Sequence, residues 1–69
     1  MKDEFHFVIA RPWGPEYPEQ LAIYVIRNSE IQRGSMQNAQ DLLAYVQRQS
    51  PDRDWQIYKV TFEALAGTK

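Results

Sequence analysis

Apolar and small or polar side chains alternate near the start of the chain. In Phe5-His6-Phe7-Val8-Ile9-Ala10, residues Phe5, Phe7 and Ile9 fall on one face and His6, Val8 and Ala10 on the other, the period-two pattern of a strand. Neither face is strongly polar, so this strand is expected at the centre of its sheet. Its expected end is Arg11-Pro12, because proline cannot donate to a ladder and restricts the residue before it. Leu21-Ala22-Ile23-Tyr24-Val25-Ile26 reads as a second strand, with Leu21, Ile23 and Val25 on one face and Ala22, Tyr24 and Ile26 on the other. Asn28-Ser29 signals a turn, after which Glu30 to Arg33 either extends or folds back as a short strand closed by Gly34.

The period then changes. Met36, Ala39, Leu43 and Val46 recur at three- and four-residue spacing, widened by Leu42, with Gln37, Gln40, Asp41, Gln47 and Arg48 on the wet side. This predicts an amphipathic helix from Met36 to Gln49 with Ser35 as its N-cap. Arg48 in the last turn suits the negative helix end. Ser50-Pro51-Asp52-Arg53-Asp54 stops the helix and turns the chain. Trp55 to Phe62 is the third strand, with faces Trp55/Ile57/Lys59/Thr61 and Gln56/Tyr58/Val60/Phe62; Lys59 marks it as an edge. Ala64 to Lys69 is a weak tail.

The expected fold class is therefore α+β: a three-stranded antiparallel sheet with one helix packed on one face, in the order β-β-α-β. Pairing the third strand with the first gives the spatial order 3-1-2. This is preferred over a parallel crossover beside the second strand because antiparallel pairing is commoner. No repeat or linker interrupts the 69 residues, so residues 1–69 read as one domain.

Composition narrows the chemistry. With no cysteine and one histidine, disulfides are excluded and neither a structural zinc site nor any cofactor is expected. A chain this short buries only about 60% of the surface its unfolded form exposes. Its nine aromatic residues must then build a dense core, or copies of it must associate. The formal net charge is −1 with both signs interspersed, which does little to keep copies apart and supplies no basic stripe for nucleic acid. The longest apolar stretch, Leu21 to Ile26, falls far short of the ~20 residues needed to cross a bilayer. Met1-Lys2-Asp3-Glu4 carries acids where a signal peptide needs a basic start, so the expected location is cytoplasmic, with no membrane partner.

Catalytic constellations are not expected. His6 stands in a strand beside Asp3 and Glu4 with no second histidine, and Ser29, Ser35 and Ser50 suit turns and caps. Asp52 and Asp54 resemble the start of a calcium loop, but the central glycine and closing glutamate are missing.

One helix shields one side of a sheet. If Phe7, Ile9, Ile23 and Val25 pack beneath it, then Val8, Tyr24, Ile26 and Tyr58 look outward as an apolar patch of the kind that marks an interaction site. A second copy, a different protein, or the loop bearing Trp13 would cover it. Three of the four prolines fall between Pro12 and Pro18, a stiff loop carrying Trp13 and Tyr17 beside Arg11. Trp, Tyr and Arg are the residue types enriched at interface anchors. The expected contact residues are Arg11, Trp13 and Tyr17 on the loop, with Tyr24 and Ile26 on the open face. The expected function is non-enzymatic protein binding by a homodimer. The alternative is single-stranded nucleic-acid binding, with bases stacked on Tyr24 and Tyr58.

The helix Ser35–Gln49, the polar turn Ser50–Asp54 and the closing Trp55-Gln-Ile-Tyr-Lys-Val together resemble small phage-encoded accessory proteins, among them inhibitors of host RNA polymerase, over about half the chain. The resemblance implies a non-catalytic binding protein that occludes a host protein. Such inhibitors often carry acidic surfaces, whereas this chain is almost neutral, and no functional residue carries over.

Overall fold

A computed structural model describes residues 3–68; Met1 and Lys2 of the N-terminal reading and Lys69 of the tail lie outside the described residues. The longest strand, β1 (Phe5–Gly14), is the partner of every other strand: β2 (Tyr17–Ile23), β3 (Gln32–Gly34) and β4 (Gln56–Val60). All three pairings are antiparallel. His6 and Phe7 are paired with both β3 and β4, and Ala10 with both β2 and β4. Hence β2 and β3 lie in line along one side of β1 and β4 lies along the other. The expected placement of the first strand between the second and the last holds. The sheet has four strands rather than three, because the Gln32–Gly34 segment folds back as a short strand of its own.

β1 does not stop at Arg11-Pro12. The Tyr24 N–H donates to the Ile9 carbonyl at 2.8 Å, which makes Ala10–Ile23 a pair without mutual hydrogen bonds. By alternation Pro12–Leu21 is another such pair. The N–H that Pro12 lacks would have pointed away from β2, on the side where β4 has already ended at Gln56 opposite Ala10. Proline is tolerated at such an edge. The expected Pro12–Pro18 loop is accordingly the end of a hairpin, turning through Pro15-Glu16 between Gly14 and Tyr17. β2 begins four residues earlier than the apolar pattern suggests and ends at Ile23; the last strand is trimmed at both ends to Gln56–Val60.

The helix α1 (Met36–Gln49) has the expected boundaries. Ser35 caps it: its Oγ accepts from the Asn38 N–H at 3.3 Å, and Asn38 Oδ1 accepts in return from the Ser35 N–H at 2.9 Å, a reciprocal capping box. At the other end the Ser50 N–H donates to the Val46 carbonyl. The Trp55 indole N–H donates to the Ser50 carbonyl at 3.2 Å, tying the helix end to the entry of β4.

The core lies between α1 and one face of the sheet: Phe7 and Ile9 from β1, Ala39 and Val46 from α1, and Ile26 from the β2–β3 connection. Phe5, Tyr24, Leu42, Leu43, Trp55 and Ile57 pack around it. The expectation that Tyr24 and Ile26 look away from the helix is overturned. Cross-strand partners share a face, so the Ala10–Ile23 register puts Ile23 on the face of Ala10 and Val8, opposite Ile9. The next residue, Tyr24, turns under the helix and meets Trp55 edge-on, ring centroids 5.3 Å apart. Ile26 follows into the core, buried to 6% exposure.

Candidate functional site

The side of the sheet opposite α1 is built from the even-numbered residues of β1 and their partners. Val8 stands opposite Tyr58, Ala10 between Ile23 and Gln56, His6 between Arg33 and Val60, and Pro12 opposite Leu21. Small side chains on the central strand flanked by larger ones on the outer strands make a shallow trough along β1. Val8 and Ala10 at its floor are buried, while Leu21 and Ile23 on its wall keep 39% and 36% of their surface exposed. Beyond β4, Phe62 meets the His6 ring edge-on at 5.0 Å and remains 67% exposed.

Along the registered stretch from His6 to Pro12, this face carries one charged side chain besides the histidine. Arg33, at its β3 end, is paired with Glu4 at 3.7 Å, and Lys59 faces the helix side with its cross-strand partner Phe7. Among the described residues no group of three or more His, Asp or Glu side chains gathers that could hold a metal ion, and no helix is long and apolar enough to cross a membrane. Three comparisons, with protein-family models, with curated proteins and with solved structures, find no match. The surface must be read from its own chemistry.

The five expected contact residues do not come together. Trp13 and Tyr17 project from the hairpin end, 53% and 47% exposed. Arg11 instead turns to the helix side, its guanidinium 5.7 Å from the centre of the Trp55 ring and its Nη1 donating to the Pro12 carbonyl at 3.2 Å. That cation–π contact and the half-buried stem anchor the hairpin's base. Tyr24 and Ile26 belong to the packed side. Tyr24 and Tyr58 therefore lie on opposite faces, and the expected two-tyrosine stacking platform is not assembled. Of the residues that replace them, Ile23 is one expected beneath the helix and Leu21 shares its strand face. The signal for Tyr58 and Phe62 was present in the third strand's even-numbered face; the signal for Leu21 and Ile23 was not, because both faces of the second strand are apolar.

Proposed function

We propose that this chain is a non-catalytic protein-interaction module that works as a homodimer, two copies packing their open sheet faces together. One observation carries the reading: the chain exposes too much surface for a finished monomer. Its accessible area is 5708 Å², whereas a compact monomer of 8.1 kDa exposes about 4,500 Å². The excess, roughly 1,200 Å², is shared by the hairpin end, the exposed residues 61–68 and this sheet face, against the ~800 Å² per partner that a stable interface of ordinary size removes. The molecule measures 20 Å through its shortest axis and 47 Å along its longest. Its radius of gyration is 13.8 Å against about 11 Å for a compact chain of this length.

A second copy fits this face for a chemical reason. A two-fold interface brings a patch against itself, so an unpaired charge would meet its like; the aliphatic trough has none, and the Arg33–Glu4 pair is internally neutral. Two such faces can pack with side chains interdigitating, as sheets do in sandwiches, the Ile23 of each copy seating in the other's Val8–Ala10 trough. The roles of the serines support a non-catalytic reading: Ser35 and Ser50 cap α1, and Ser29 donates to the Ile31 carbonyl at 2.8 Å. Occlusion of a host protein, which the resemblance to phage accessory proteins implies, would then use the hairpin end with Trp13 and Tyr17, left free at the margin of the dimer.

The test is the molar mass in dilute solution by sedimentation equilibrium. The wild type is expected at twice 8.1 kDa, and Ile23→Glu at the monomer mass with an unchanged circular dichroism spectrum, since Ile23 is already partly exposed in the single copy. A wild type that stays at one chain mass at tens of micromolar, a range chosen for an interface of about this size, refutes the proposal.

A further inference from the structure

On the other side of the molecule a cleft of about 420 Å³ opens between the β2–β3 connection and the middle of α1, lined by Tyr24, Val25, Ile26, Arg27, Leu42 and Tyr45. Its size is that of a small-molecule site, and its walls combine apolar side chains and two tyrosines with one charged group. That group is Arg27. The ion pair among the described residues is Arg33–Glu4, and no hydrogen bond from the Arg27 guanidinium is formed among them. Asp41, which lines an adjoining cleft with Arg27 and Arg33, accepts from Gln37 Nε2 at 3.0 Å.

The backbone at Arg27 adds an independent observation. Arg27 and Asn28 have φ of 55° and 63° and form the tip of a tight turn whose ends, Ile26 and Ser29, exchange both backbone hydrogen bonds at 2.9 and 3.0 Å. Positive φ at both central positions is the geometry that Asn and Gly fill readily. Asn28 meets that preference. Arginine has no local side-chain hydrogen bond to offset the left-handed conformation, which is unfavourable for a residue with a Cβ. The turn places an exposed arginine at the mouth of the cleft.

We infer that this cleft binds a small amphipathic carboxylate, its hydrocarbon body between Tyr24, Leu42 and Tyr45 and its carboxylate on the Arg27 fork. A single planar guanidinium matches a carboxylate in a two-bonded pair. The site lies on the helix side and does not depend on the self-association proposed above.

The experiment is an NMR titration of the isotope-labelled protein with octanoate and, separately, with 1-octanol, which has the same chain without the charge. The expected result is chemical-shift change centred on Arg27, Leu42 and Tyr45, with octanoate binding at least about tenfold more tightly than the alcohol, the increment of one charge-assisted hydrogen-bonded pair. Arg27→Asn supplies the second arm. It suits the turn better, so the variant is expected to melt no lower than wild type while losing the preference for octanoate. Equal affinity for the two ligands overturns the inference, as does a shift pattern centred on Leu21 and Ile23 or an Arg27→Asn variant that still prefers the acid. The wild-type comparison is decisive alone, whatever the variant's stability.

Discussion

Gly34 meets the first turn of α1 so closely that a Cβ added to it would lie 2.8 Å from Asn38 Oδ1 and 2.9 Å from Asn38 Cβ. Its backbone is not in the left-handed region; the glycine is needed for space, not for conformation. Asn38 cannot move aside freely, because its Oδ1 also accepts from the Ser35 N–H and Oγ. Gly34→Ala therefore sets a methyl group against the capping box and is expected to destabilise the fold by about 1–3 kcal/mol, read as a lower urea midpoint. Adding the same methyl at Gly14, where nothing lies within 4 Å, is the control expected to leave the midpoint nearly unchanged.

At the scale of elements, α1 was legible because everything that defines it is local. Its apolar stripe repeats within the helix, its cap is the residue before it, and its stop is the Ser50-Pro51 step after it. Ser35→Ala removes the oxygen that accepts from the Asn38 N–H and is expected to cost about 1 kcal/mol, with Ser35→Gly costing only a few tenths. Urea denaturation at fixed protein concentration, with the slope of the transition unchanged, checks both. The second strand was only half legible. Between the Pro12–Leu21 and Gly14–Tyr17 pairs β1 advances by two residues while β2 advances by four, an irregularity that no local pattern announces. Register across a hairpin decides which alternate residues face the core, and a slip of one exchanges the two sets. With apolar residues in both sets, Leu21 and Ile23 were as good a core face as Tyr24 and Ile26 until the Ala10–Ile23 pairing chose.

For the whole molecule the proposed homodimer would finish the second sheet face with another copy. Unfolding of such a dimer depends on concentration: each tenfold rise in protein adds about 1.4 kcal/mol to the stability of the assembled state. The thermal midpoint of the wild type is expected to climb over a dilution series, and that of Ile23→Glu to stay flat. A flat wild-type series would mean that the 5708 Å² of surface belongs to a self-sufficient monomer.

The amino-acid sequence by itself determined the helix and its cap, the central place of β1, and the antiparallel order around it. These follow from periodicity, capping chemistry and the number of apolar stripes, which are properties of neighbours along the chain. Only the tertiary structure decided that Leu21 and Ile23 lie on the sheet face opposite α1, that Tyr24 and Arg11 both turn to Trp55, and that Arg27, with its positive φ, lines a cleft. Each of those depends on a register or a turn joining residues distant along the chain, and a one-residue change in that joining reverses which side of the sheet a side chain occupies.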